Sequence, residues 1–271
     1  MKNTLLVSDL DGTLLDRNQQ ISEENQKAIK FFKEQGGLFT LATGRMEQSV
    51  LPFIDELQID IPVILYNGAK IYSPLSKKVI FERQLENYEE LAKQLMKKEF
   101  HKELGFLLYK DGDVYTHNRN EIVRAHEKKD GVICKVLPEE ILAEPITKVL
   151  LISSSKEILQ YCEKMVLQSR VNCELIYSET TYLEILPINA SKGNALQELV
   201  RYLQRSDLQT IAVGDNLNDV SMLQVATHGY LVENCHEQLK NATYKKTVHH
   251  EHHAIADILY QQFNSKNESA I

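Results

Sequence analysis

The stretch Val7-Ser8-Asp9-Leu10-Asp11-Gly12-Thr13-Leu14-Leu15 places two carboxylates and a glycine directly behind an apolar run that begins at Thr4-Leu5-Leu6. A short apolar run bounded by turn residues suits a strand buried on both faces. Side chains alternate along a strand, so Asp9 and Asp11 leave its end on one side while Leu10 points to the other. Gly12 lets the chain turn where a side chain would collide with a ligand. A plainer reading is also open, in which Asp11-Gly12 is only a turn and Asp9 caps a helix or faces solvent. Two carboxylates at one strand end repel each other unless they share a cation, a proton or a donor, and a divalent metal is the first candidate.

The residues on either side repeat this pattern of apolar run and polar turn. Ser22, with Glu24 and Asn25, opens a helical pattern (Ala28, Ile29, Phe31, Phe32) that stops at Gly36-Gly37. Residues 38–42 form a second buried strand that ends in Thr43-Gly44-Arg45, a helix covers about 47–57, and a third strand over 62–66 ends at Asn67-Gly68. Alternating strands and helices with short polar turns predict an α/β fold, a Rossmann-like parallel sheet with helices on both faces. Ligands of such sheets bind at the carboxyl ends of the strands, where all three polar clusters lie.

The middle of the chain changes character. A hairpin is expected over 71–81, a helix over 87–100, and strands over 104–109 and 113–117 joined by the turn Lys110-Asp111-Gly112. A helix over 121–129, strands over 132–137 and 147–153, a helix over 156–168 and strands over 171–177 and 181–186 complete this part. The parallel pattern then resumes with Ser191-Lys192-Gly193 before a helix, a strand over 209–213, the run Gly214-Asp215-Asn216-Leu217-Asn218-Asp219, a short strand over 230–232 and a helix over 254–263. The expected organisation is a discontinuous core, 1–82 and 187–271, with an α+β domain inserted over 83–186. Residues 264–271 are expected to fray.

The 271 residues are 43% hydrophobic and 25% charged, as in ordinary globular proteins, and the net charge of −7 with no basic stripe argues against nucleic acid as a partner. No apolar run approaches the ~20 residues of a membrane span, and no basic-then-apolar leader precedes the first strand, so a cytoplasmic location is expected. Cys134, Cys162, Cys173 and Cys235 show no paired spacing, so reduced, packed thiols are the expectation and zinc is disfavoured. The tract His249-His250-Glu251-His252-His253 reads as a surface loop in preference to a metal tract.

The run 214–219 is a second acidic centre. One Asp or Asn would cap a helix, but Asp215, Asn216, Asn218 and Asp219 exceed that need and point to metal coordination. No EF-hand glycine stands where one is required. Ligands that are all oxygen select a hard ion, Mg²⁺ first, and Mg²⁺ pairs with substrate phosphate, which makes phosphoryl transfer the natural chemistry. Such a site also needs a hydroxyl or backbone donors and a lysine. Thr43-Gly44 at a strand-to-helix turn and Lys192 at a helix start supply them, although each alone reads more readily as a threonine cap or an exposed lysine.

These motifs together resemble the haloacid dehalogenase superfamily of phosphohydrolases. All four of its motifs occur in order: Asp9-Leu10-Asp11-Gly12-Thr13, Thr43-Gly44-Arg45, Lys192, and Gly214-Asp215 with Asn218-Asp219. Asn67-Gly68-Ala69, Ser191-Lys192-Gly193 and the large insert resemble the Cof-type group. The segment Gly229-Tyr230-Leu231-Val232-Glu233-Asn234-Cys235-His236 departs from that group's usual glycine-alanine-methionine-glycine-asparagine pattern toward the sucrose-phosphatase-like branch. The resemblance implies that Asp9 attacks phosphorus and forms an aspartyl-phosphate, and that Asp11 serves as acid and then base. It implies that Asp9, the Asp11 carbonyl and Asp215 hold Mg²⁺ with support from Asp219 and Asn218. Thr43 and Lys192, with the turns containing Leu10, Gly12, Gly44 and Arg45 and with Asn218, would hold the phosphoryl group. Only about ten residues separate Asp11 from the helix at Ser22, so the domain at 83–186 is the expected cap. The substrate implied is a small phosphorylated metabolite, sugar phosphates first, acted on by a monomer or small homo-oligomer. A hexose phosphomutase and a non-catalytic phosphometabolite sensor are the alternatives.

Overall fold

A computed structural model describes residues 2–97, 102–205 and 207–268, with side chains described as far as 263. By their internal packing these residues form two units, one from 1–43, 51–80 and 191–271, the other from 44–50 and 81–190. The chain is an α/β protein: a parallel core sheet with helices and a second, largely antiparallel sheet.

In the first unit, β1 (Thr4–Ser8) lies between β2 (Leu38–Leu41) and β12 (Gln209–Gly214), with β13 (His228–Leu231) and β14 (Lys245–Lys246) beyond, all parallel. Every residue of β1 is buried, as the continuous apolar run requires of a strand covered on both faces. Helix α1 (Glu23–Glu34) starts at Ser22, whose Oγ accepts the Asn25 amide, and packs against α8 (Ala254–Glu268). Helix α6 (Lys192–Tyr202) packs against α7 (Val220–Val225). Fraying was expected from residue 264, yet α8 continues to Glu268, and 269–271 lie outside the described residues.

The third strand differs from expectation. It is short, β3 (Val63–Leu65), and touches the parallel sheet through one bridge, Ala42 to Ile64. Its ladder is antiparallel, to β4 (Lys70–Ser73), which is followed by β5 (Lys78–Glu82). The cause is local: Tyr66, Asn67 and Gly68 have φ of 50°, 53° and 96°, a run of left-handed residues that reverses the chain. The two-residue β14 was not anticipated either. Its Lys245 and Lys246 are exposed, as their charge suggests.

The second unit holds a sheet in the order β10-β11-β9-β6-β7-β8. Its strands are β6 (Gly105–Lys110), β7 (Asp113–Thr116), β8 (Cys134–Val136), β9 (Lys148–Ile152), β10 (Cys173–Glu179) and β11 (Tyr182–Pro187). Asp111 and Gly112, both at positive φ, make the two-residue turn joining β6 and β7. Alternate residues such as Phe106, Val149 and Leu183 pack with α3 (Glu89–Leu95) and α5 (Lys156–Gln168). Helix α4 (Glu121–Asp130) ends at Gly131 in the left-handed conformation. Helix α3 is shorter than the expected 87–100, because Asn87 at φ 57° delays its start; residues 98–100 lie outside the described residues. Among the described residues no helix is long and apolar enough to cross a membrane.

Because Leu6 is fully buried in the central strand, Leu6→Ala should cost about 2–5 kcal/mol. The check is a lower urea midpoint by circular dichroism; an unchanged midpoint would contradict this packing.

Candidate active site

The acidic residues sit where the parallel strands end. Past β1 the ladder to β12 runs on for one bond, Asp9 N–H to the Val213 carbonyl at 2.9 Å. Leu10 is fully buried, and its carbonyl accepts the amides of Leu14 and Leu15, which closes the turn. Gly12 has φ +74°, and a Cβ there would lie 2.7 Å from Asp215 Oδ2, so the two acidic loops touch through a position that only glycine fills. Thr13 Oγ1 donates to Asp215 Oδ1 at 3.2 Å. Asp11 is half-buried beside them.

Lys192 enters from the first turn of α6, which Ser191 caps by accepting the Asn194 amide. It has no exposure to solvent, and its Nζ donates to Asp9 Oδ1 and Asp219 Oδ1, both at 2.6 Å. The other Asp219 oxygen accepts the amides of Asp215 and Asn216 at 2.9 Å each. Asp219 is therefore fully committed, to the lysine on one side and to its own loop on the other. Thr43 is buried, its amide donates to Ile64 and its carbonyl accepts the Asn67 amide at 2.9 Å. Asn67 Oδ1 in turn accepts from Asn218 Nδ2 at 2.9 Å, while the buried Asn218 Oδ1 has no hydrogen-bond partner. Gly68 lies so close to α6 that a Cβ would stand 2.1 Å from the Ser191 carbonyl. Gly44 and Arg45 belong to the second unit.

Burial, and then the Asp219 carboxylate, push Asp9 up to about 7, with Lys192 acting in the opposite direction. Burial, Asp219 and Asp9 likewise push Asp215 up to about 9. Burial alone would lower Lys192, but Asp219 and Asp9 hold it above the ordinary lysine value. Three carboxylates against one ammonium leave the cluster short of positive charge. Asp9, Asp215 and Asp219 each bring a carboxylate oxygen to within 4.8 Å of the others. This all-oxygen, charge-deficient set fits a hard divalent cation. Asp11 contributes no side chain to it, and among the described residues the 249–253 histidines form no comparable group.

The haloacid dehalogenase-like hydrolase family model matches residues 6–259. This chain belongs to that family. Among proteins of the family it is 29% identical to a 5-amino-6-(5-phospho-D-ribitylamino)uracil phosphatase of Bacillus subtilis, over 94% of this chain and 96% of the relative. It is 25% identical to an HMP-PP phosphatase of Serratia proteamaculans, over 96% of each. A crystal structure from Thermotoga maritima superposes with a TM-score of 0.80 at 28% identity, covering 96% of this chain and 97% of that one. The chain is thus a hydrolase with the core fold of its family.

Sequence reasoning used Asn67 only as a marker of resemblance and gave Asn234 no role. Asn67 ties the Thr43 turn to Asn218, and Asn234 Nδ2 donates to the Gly12 carbonyl at 2.7 Å. The signal for Asn67 was present, an asparagine before a glycine where φ turns positive.

A carboxylate pKa raised on folding means that the folded state binds more protons, so stability is lost as pH climbs from the ordinary 3.8 toward about 9 at Asp215. Without metal the thermal midpoint should therefore fall between pH 6 and pH 9, and Mg²⁺ should raise it more at pH 9. An equal Mg²⁺ effect at both values would remove these carboxylates from a cation site.

Proposed function

We propose that this hydrolase is a Mg²⁺-dependent phosphatase of small phosphorylated metabolites, sugar phosphates first, working through an aspartyl-phosphate in the cytoplasm. The observation that carries the reading is Lys192, fully buried and shared at 2.6 Å by Asp9 and Asp219 next to the raised Asp215. A cation fixed on one oxygen of Asp9 orients the other oxygen toward an incoming phosphoryl group and offsets the repulsion between carboxylate and phosphate. The four unpaired cysteines are consistent with a reducing compartment. Relatives named for a phosphoribityl compound and for HMP-PP support a small phosphate ester as substrate.

Asp9 attacks phosphorus in line, forming the new O–P bond as the ester P–O bond breaks, and Asp11 gives its proton to the departing alcohol. Asp11 then takes a proton from water as that water attacks phosphorus, which releases inorganic phosphate and restores the Asp9 carboxylate. Bound Mg²⁺ supplies positive charge to the phosphoryl oxygens; Asp9, Asp215 and the Asp11 carbonyl would hold it, with Asn218 beside them. Thr43 and the backbone of Gly12 donate to the same oxygens. Asp219 keeps Lys192 charged and in place and closes the loop that carries Asp215. Choice among esters is assigned to the inserted segment.

Asp9→Asn should abolish hydrolysis of an aryl phosphate with the circular dichroism spectrum unchanged, and turnover like the wild type would sink the nucleophile assignment. Lys192→Ala should cost on the order of 10²-fold or more in kcat, as loss of one oxyanion donor does; a loss under threefold would take Lys192 out of the phosphate site.

A further inference from the structure

The segment behind β13 and the 249–253 histidines have no part in the chemistry proposed above, yet both grip the turn that would perform it. Asn234 Nδ2 donates to the Gly12 carbonyl at 2.7 Å, and Asn234 Oδ1 accepts the His250 amide at 3.0 Å. The His250 ring places Nδ1 2.6 Å from the Leu15 carbonyl, and since a carbonyl can only accept, that nitrogen carries the proton. Two residues beyond Asn234, the His236 amide donates to the Asp215 carbonyl at 2.7 Å. One short segment therefore holds the main chain of both acid-bearing turns.

The Gly12 carbonyl shares a peptide plane with the Thr13 amide. Fixing it sets the plane from which Thr13 reaches Asp215 and anchors the chain one residue beyond Asp11. Gly12, at φ +74°, has the backbone freedom to let this plane swing, so an outside hold matters more here than at an ordinary residue. The hold is itself braced, because His250 fixes Asn234 through its amide and Leu15 through its ring.

We propose that Asn234 is a positioning residue for the turn 9–12, held between the Gly12 carbonyl and the His250 amide so that Asp11 stays aligned for proton transfer. The inference rests on the phosphatase reading. It also gives the histidine tract a task as the brace of this bracket.

Asn234→Asp keeps the acceptor for His250 and sets an oxygen in place of the donor to Gly12. In the full chain with Mg²⁺ and an aryl phosphate, kcat should fall at least tenfold with KM within threefold of wild type. Hydrogen exchange over residues 10–15, followed by mass spectrometry without substrate or metal, should quicken at least tenfold. A kcat within twofold of wild type, or unchanged exchange, overturns the proposal. Should Asn234→Asp not fold, His250→Pro is compared with His250→Ala. Both lose the ring, but only proline loses the amide, and proline suits the first position of a helical turn. The proline variant should turn over at least threefold more slowly than the alanine variant, and equal rates overturn the bracket. The exchange readout uses no catalysis, so an inactive wild-type protein would fault the phosphatase reading and leave this test standing.

Discussion

Lys192 is an ammonium group with no contact to water, held between two carboxylates at equal distance. Burying a charge costs several kcal/mol, and that cost is met only where opposite charges and hydrogen bonds are fixed around it. Here the partners come from the ends of two neighbouring strands, β1 and β12, and the lysine from the start of a helix. The sheet register, the cap at Ser191 and the loop closed by Asp219 all serve to bring these charges into contact. Without the lysine, Asp9, Asp215 and Asp219 would face one another uncompensated in a desolvated site, and protonation would take over from ionisation.

The division of labour within the acidic cluster follows from what each oxygen already binds. Asp219 spends both oxygens on the protein, whereas Asp215 is met by one threonine hydroxyl and Asp9 by one ammonium. The two groups with oxygens to spare are ones whose ionisation burial disfavours. That combination belongs to a site built for an added positive charge, and it separates a supporting carboxylate from those able to serve chemistry.

Much of the core was legible in the sequence because buried parallel strands are written as continuous apolar runs with polar ends. The runs before Asp9, Thr43 and Gly214 declared both the strands and the edge of the sheet where chemistry gathers. Asn67-Gly68 signalled a turn, but the left-handed Tyr66 ahead of it was not legible, since a tyrosine there follows no local preference. The role of Asn234 was hidden for another reason. Its partner Gly12 is 222 positions away, and nothing in either neighbourhood names the other. The histidine tract read as a surface loop, and its ring contact with Leu15 is equally invisible without the fold.

The placement of β1 has a consequence for how the protein is made. Its neighbour β12 and the residues Lys192, Asp215 and Asp219 all belong to the last third of the chain, while strands β6 to β11 are contiguous in sequence. As synthesis proceeds from the amino end, the sheet of the second unit has all its strands before the central strand of the first has both of its partners. Asp9 is thus among the first residues translated and among the last to find its counter-charge. Premature termination between residues 9 and 192 leaves a chain that has Asp9 but lacks the electrostatic setting around it.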